Sequence, residues 1–198
     1  MTTFEDRADA GRQLAGRLRG FERPILLGLA RGGVPVASSA SEVLGCDFDA
    51  LVVRKIKAAG EDREFGDGAV APDGIEVGDA PREEVARAAH EMDRRIDAYL
   101  DGHPAPDIAG RLAVLVDDGL ATGVTAIAAA RYARTLGPAR LVLAVPVLSE
   151  EALRAMEPEV DEVVYVEMPV PFHAVGDSYE KFPEVTDDEV KMALAKPL

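Results

Sequence analysis

The chain has 198 residues, 47% of them hydrophobic, and its 36 acidic and 22 basic side chains give a net charge of −14. That is enough apolar material for the core of one domain without disulfides or metals, and the charge disfavours a broad nucleic-acid-binding face, since phosphate binding needs clustered positive charge. The single cysteine, Cys46, excludes an internal disulfide and any multi-cysteine metal centre, and it reads as a small apolar residue near a helix end.

The opening segment, Met1 to Asp6, is polar and acidic, without the basic and apolar regions of a secretory leader, so a soluble cytoplasmic protein is expected. Thr3 followed by Asp6 has the form of a capping box, and Leu14 and Leu18 recur at helical spacing, which predicts a helix over 3–19. Pro24 to Leu29 is a short, wholly apolar run, as expected of a strand buried on both faces. Gly32-Gly33 ends it, and a small-residue helix is predicted from Val34 to Leu44, closed by Gly45. Phe48 to Val53 reads as a second buried strand. From 54 to 80, glycines, a proline and many charges interrupt every period, which predicts a long loop or a twisted hairpin.

Asp79 and Pro81 announce a helix with a buried stripe of Val85, Ala89, Met92, Ile96 and Leu100. Gly102 to Pro106 is a connector. Leu112 to Val116 is a third strand, followed by a Gly/Thr loop and an alanine-rich helix to about Leu136. Leu141 to Val147 is a fourth strand, Ser149 to Met156 a short helix, and Val163 to Val166 a fifth strand. The stretch from Pro169 to Pro183 is irregular and carries aromatics, and a last short helix follows. No apolar run approaches the ~18 residues that a membrane span needs.

Apolar strands alternating with helices predict an α/β fold, a parallel sheet with helices on both faces, as one domain over 1–198. Ligands of such sheets bind beyond the carboxyl ends of the strands. The site is therefore expected after Leu29, after Val53, after Val116, and after Val147 or Val166.

The most informative segment is Val114-Leu115-Val116-Asp117-Asp118-Gly119-Leu120-Ala121-Thr122-Gly123-Val124-Thr125. A buried strand runs straight into two carboxylates, and a Gly/Thr loop then opens a helix. At a strand end both acids can turn toward one ligand and accept hydrogen bonds from a vicinal diol. The loop amides of 119–125, the Thr122 and Thr125 hydroxyls and the helix N-terminus can cradle an anion. A diol on one side and a phosphate on the other describe a ribose 5-phosphate. The plainer reading is a solvated acidic turn before a capped helix. The segment is neither a P-loop nor a dinucleotide fingerprint.

This segment resembles the motif by which type I phosphoribosyltransferases bind 5-phosphoribosyl 1-diphosphate (PRPP). Leu29-Ala30-Arg31-Gly32-Gly33-Val34-Pro35 is similar to their pyrophosphate loop, whose backbone adopts an unusual conformation and binds the diphosphate through amides. Residues 54–70 fall where these enzymes keep a mobile loop. Phe172-His173-Ala174-Val175-Gly176-Asp177-Ser178-Tyr179, with Phe182 beyond, resembles the hood that holds the nucleobase, here assigned to 169–185. The resemblance covers about 22–185. It is greatest to a bacterial and archaeal group of phosphoribosyltransferases without a settled substrate, through Phe4-Glu5-Asp6-Arg7 with Asp9-Ala10-Gly11, Val53-Arg54-Lys55, and Ala174-Val175-Gly176.

The resemblance implies displacement of pyrophosphate from PRPP by a ring nitrogen of a small heterocyclic base, in a homodimer of the kind common among relatives. Asp117 and Asp118 would hold the ribose hydroxyls, directly or through Mg2+, the implied cofactor. Gly119, Leu120, Ala121, Thr122, Gly123 and Thr125 would bind the 5-phosphate. Ala30, Arg31, Gly32, Gly33, Arg54 and Lys55 would face the pyrophosphate, with Arg31 in a catalytic role. Arg31 can equally be a solvated surface arginine, and Arg54-Lys55 the ordinary charged exit from a strand. Phe172 would stack on the base or simply pack against the domain. Family members acting on 6-oxopurines carry an Asp where this chain has Ala121, and commonly a Lys where it has Val124, which argues against hypoxanthine and guanine. Two other readings remain: a PRPP-sensing regulator without turnover, and a Mg2+-dependent phosphohydrolase using Asp117-Asp118. The acidic, lysine-poor composition suits a high-salt cytoplasm or an ordinary acidic enzyme.

Overall fold

The structure is a computed structural model that describes residues 4–56, 68–101 and 107–195. Its centre is a five-stranded sheet of β1 (Ile25–Ala30), β2 (Phe48–Val52), β6 (Leu112–Val116), β7 (Arg140–Val147) and β8 (Glu162–Glu167), in the order β2-β1-β6-β7-β8. Every pairing in it is parallel. The three inner strands are buried almost throughout, which is why they read as unbroken apolar runs rather than as alternating ones.

Helices cover both faces. On one side α1 (Arg7–Leu18) and α2 (Gly33–Leu44) bury Leu14, Leu18, Val36 and Ala40 against Leu26, Val114 and Val142. On the other, α4 (Val124–Thr135) lays its alanines and Tyr132 over Leu27, Leu115 and Leu143. Alanine suits that position because it lets a helix approach the sheet closely without loss of helix propensity. Ser149 caps α5 (Glu150–Met156) by accepting the Ala152 amide.

Two expectations are corrected. First, α1 starts at Arg7, not Thr3, and its cap is Asp6, whose side chain accepts the Asp9 amide at 2.8 Å. The residues before it are drawn out of the helix by the chain's far end. The Phe4 amide donates to Ser178, and the amides of Glu180 and Lys181 donate to Phe4 and Glu5. Second, α3 (Arg82–Leu100) turns a wider stripe inward than expected: Ala88, Arg95 and Tyr99 are buried with Met92 and Ile96, while Val85, Ala89 and Leu100 pack partly buried against the same cluster. The polar tips of Arg95 and Tyr99 find carboxylates at Glu91 and Asp187, which lets both residues enter the packed face.

The stretch expected as a loop or hairpin contains an antiparallel ribbon, β3 (Arg54–Ile56), β4 (Gly68–Ala71) and β5 (Ile75–Val77). Residues 57–67 of that stretch, and most of the connector before β6, lie outside the described residues. After β8 the chain is irregular apart from a short 3-10 turn, Val175–Ser178, and then ends in α6 (Asp187–Leu194). Among the described residues no helix is long and apolar enough to cross a membrane.

Candidate active site

At the carboxyl edge of the sheet, the ends of β1 and β6 lie side by side, since Gly28 pairs with Val116. The two loops that follow are pressed together. A Cβ on Gly33 would overlap the Val116 carbonyl oxygen and lie 2.9 Å from the Asp117 Cα, and one on Gly32 would overlap the Asp118 carboxylate. Only glycine allows this approach, so Gly32-Gly33 sets the acids of one loop against the backbone of the other. The peptide bond between Ala30 and Arg31 is cis.

A cavity of about 280 Å³ opens where these loops meet. It brings together Ala30, Arg31 and Gly32 from the first loop, Arg54 and Lys55 from β3, Asp117 and Asp118 from the end of β6, and Thr125 from the first turn of α4. Five basic side chains, with Arg7 and Arg95 added, face three acidic ones there, the third being Glu184. The cavity is thus locally cationic in a chain of net charge −14. A second cavity of about 760 Å³ adjoins it, sharing Arg31, Arg54, Lys55, Arg95 and Glu184.

Asp118 is held on several sides. Arg7 donates from Nε and pairs through Nη2 to the same oxygen, Oδ2, each at 2.8 Å. The Tyr179 hydroxyl donates to the Asp118 backbone carbonyl at 2.6 Å, and the Asp118 amide donates to Asp117 Oδ1 at 2.9 Å. Burial pushes the carboxyl of Asp117 well above the usual range, and the charge of Asp118 adds to this. Burial also raises Asp118, with the Arg7 guanidinium opposing it. Such a pair of acids, close together and short of water, is built to receive hydrogen-bond donors or a cation. Burial lowers the Arg54 pKa, and the neighbouring positive charges of Arg95 and Arg31 lower it further.

The remaining expected residues are distributed less simply. Gly33 is buried behind the cavity. The Leu120 amide donates to the Val147 carbonyl at 2.9 Å and its side chain is buried, so Leu120 anchors its loop to β7 and its N–H is committed. The Ala121 carbonyl likewise accepts a hydrogen bond from the Ser149 hydroxyl. Gly119 lies against Val147 and Val175. Thr122 is half-buried, and Gly123, at φ 78°, starts α4 without a side-chain cap, which leaves the first-turn amides of the helix available to an anion. Phe172 is outside the cavity lining and packs, partly buried, beside Phe4, Val147 and Tyr179. Arg31 is engaged by Glu184 and lies 3.6 Å from Asp187.

Sequence reasoning gave no role to Arg7 or Arg95. A signal existed for both. Arg7 falls on the same helical stripe as Ala10, Leu14 and Leu18, and Arg95 on that of Met92 and Tyr99. A charge on the buried face of a helix requires a partner there. His90 and His173 are exposed, and among the described residues no three His, Cys, Asp or Glu side chains gather to hold a metal. Two adjacent carboxylates do suit a hard cation that keeps most of its waters and brings phosphate oxygens with it, as Mg2+ does. The donor chemistry of Asp117 and Asp118 therefore fits Mg2+.

The model of the phosphoribosyl transferase domain matches residues 5–177, which include every element of the site but α6 and the segment before it. The chain belongs to that family. A protein of Mycobacterium tuberculosis, provisionally named a phosphoribosyl transferase, is 39% identical, covering 96% of this chain. The match takes in 46% of that protein, so this chain spans about half the length of the curated relatives it matches. A crystal structure of a Thermus thermophilus protein is 40% identical and superposes with a TM-score of 0.82 over 98% of both chains. An Aquifex aeolicus protein at 13% identity, with a TM-score of 0.50 over 81% of this chain and 71% of its own, shares the fold alone. The expected type I phosphoribosyltransferase architecture, a parallel α/β sheet flanked by helices, is thus the one found.

Proposed function

We propose that this chain transfers the 5-phosphoribosyl group of Mg2+-bound PRPP to a ring nitrogen of a nucleobase or similar heterocycle, releasing pyrophosphate. The observation that carries this reading is the shared cavity. It sets two half-buried acids at a strand end beside a loop backbone and a cationic rim, inside a strongly acidic protein. A phosphorylated sugar diphosphate has donors for the acids and anions for the rim.

In this reading Asp117 and Asp118 accept hydrogen bonds from the ribose hydroxyls and fix the ring. The first-turn amides of α4, with Thr122 and Thr125, receive the 5-phosphate. The Ala30-Arg31-Gly32 loop, with Arg54 and Lys55, receives the diphosphate, and Arg31 exchanges its carboxylate partners for phosphate oxygens, to which its fork is matched. Mg2+ would neutralise part of the departing diphosphate. As the bond to C1 breaks, positive charge grows on the ribose. Fixed carboxylates beneath it and fixed donors around the leaving group stabilise that state without reorganisation. Enclosure matters equally, since water at C1 would waste PRPP by hydrolysis.

The test is release of pyrophosphate from PRPP with Mg2+ across a panel of purines, pyrimidines and nicotinate. At least one acceptor is expected to give stoichiometric nucleotide and pyrophosphate. Release of phosphate from simple esters, with no pyrophosphate from PRPP under any acceptor, would overturn the reading.

A further inference from the structure

We infer that Arg7 is a positioning residue for the ribose-binding acid: its guanidinium locks one oxygen of Asp118, leaves the other for the substrate, and offsets the charge that Asp118 presents to a polyanion. This deepens the proposed function and rests on it.

Every side of the Arg7 head group is occupied. Nε and Nη2 both meet Oδ2 of Asp118 at 2.8 Å, Nη1 donates to the Pro183 carbonyl at 2.6 Å, and the plane lies 3.8 Å from the centre of the Phe182 ring. The side chain is only 10% exposed. A fork held this way cannot rotate, so it fixes the Asp118 carboxylate plane. Arg7 engages Oδ2 alone and leaves Oδ1 of Asp118 open to other donors. That oxygen is therefore the one left for a ribose hydroxyl. The arrangement also ties three distant segments together, since α1, the end of β6 and the stretch around Phe182 and Pro183 meet on one guanidinium.

Charge supplies the second half of the argument. Two ionised acids beside a diphosphate would repel it. Arg7, 2.8 Å from Asp118, offsets the charge of that acid, so the group repels a polyanion less. Because the pair is half-buried, solvent screens that difference poorly, and it falls on the affinity for the substrate.

A purely architectural Arg7, pinning Pro183 and Phe182 to α1, would give the same picture, and a double-mutant cycle separates the two. Affinity for Mg2+-PRPP is measured by calorimetry on the whole chain, with thermal unfolding of each variant. Arg7→Met is expected to weaken binding about 10–100-fold, the scale of a charge-assisted hydrogen bond. Arg7→Lys, which keeps the charge without the fork, should recover part of this. If Arg7 acts through Asp118, Asp118→Asn and the double variant should bind alike to within about 2-fold, because there is nothing left for Arg7 to position. Phe182→Leu, which removes only the ring, should change affinity by less than about 3-fold.

Additive losses in the double variant would overturn the inference. So would a Phe182→Leu loss equal to that of Arg7→Met, or unaltered affinity in Arg7→Met. Should Arg7→Met not fold, wild-type affinity in Arg7→Lys with a lowered melting temperature would overturn it as well. These outcomes leave the proposed function standing. Absence of PRPP binding by the unaltered chain is a different failure, which removes that function and the inference with it.

Discussion

The two edges of the central sheet both carry charged residues and both are hollowed, yet they differ in what the hollows do with charge. At the amino edge a cavity of about 580 Å³ is lined by Arg23, Cys46, Asp47 and Arg111 among others. Its acid, Asp47, is 58% exposed and pairs with Arg111, an ordinary surface bridge. Nearby, Asp161 accepts from both Arg134 and the Leu141 amide, and these contacts hold its carboxyl below the usual range. At the carboxyl edge Asp118 also has its arginine, but burial wins and its carboxyl is raised. The same residue types are solvated on one edge and deprived of water on the other. Volume alone does not mark the site, since the cavity that holds the acids, about 280 Å³, is smaller than the one at the amino edge, about 580 Å³. Desolvated charge, held against a backbone stripped of side chains, does.

That contrast can be broken from either edge. The largest effect is expected at the acids: Asp117→Asn or Asp118→Asn should lower kcat/KM by roughly 10–150-fold, the worth of one hydrogen bond to a charged group. Unchanged kinetics in both would remove the assignment. Next comes the close approach of the loops. Gly33→Ala must force the start of α2 away from the end of β6, which costs about 1–3 kcal/mol, or a fall in melting temperature of roughly 2–12 °C, with loss of PRPP binding. A variant as stable as the parent would show that the loops part easily.

At the amino edge the effects should be small. Asp161→Asn is expected to cost under about 1 kcal/mol, as exposed pairs do. Its sign with pH is definite. A carboxyl whose folded pKa is depressed contributes stability above its unfolded value of about 3.9 and loses it as the pH falls through the folded one. Denaturant midpoints for the parent and Asp161→Asn should therefore differ at pH 7 and converge toward pH 3. Divergence on acidification would contradict this. The least response is expected from Cys46, whose thiol burial raises to about 11. It should resist a thiol reagent at pH 7.5 until the chain unfolds, and rapid labelling of the native protein would show an open edge.

How much of this could be read beforehand follows the range of the interactions. The strands were legible because burial on both faces leaves unbroken runs such as Leu112-Ala113-Val114-Leu115-Val116. The acids after them were legible because a strand end and a helix start sit on either side within a few residues. Arg7 was not, because its partner lies 111 residues away and pairs with it only once the sheet has formed. The same distance hid the true start of α1, which is set by contacts of Phe4 and Glu5 with 178–181. Phe172 could be read two ways for a related reason. An aromatic in an irregular stretch carries no period, and its packing beside Phe4 and Tyr179 depends on contacts far apart in the sequence.

The most direct test of the central claim is a crystal structure of the chain with PRPP and Mg2+. The account predicts the ribose hydroxyls within hydrogen-bonding distance of Asp117 and Asp118, the 5-phosphate on the first turn of α4 beside Thr125, and the diphosphate against Ala30-Arg31-Gly32. A sugar seated at the amino edge, or bound with both acids still turned from it, would contradict the account.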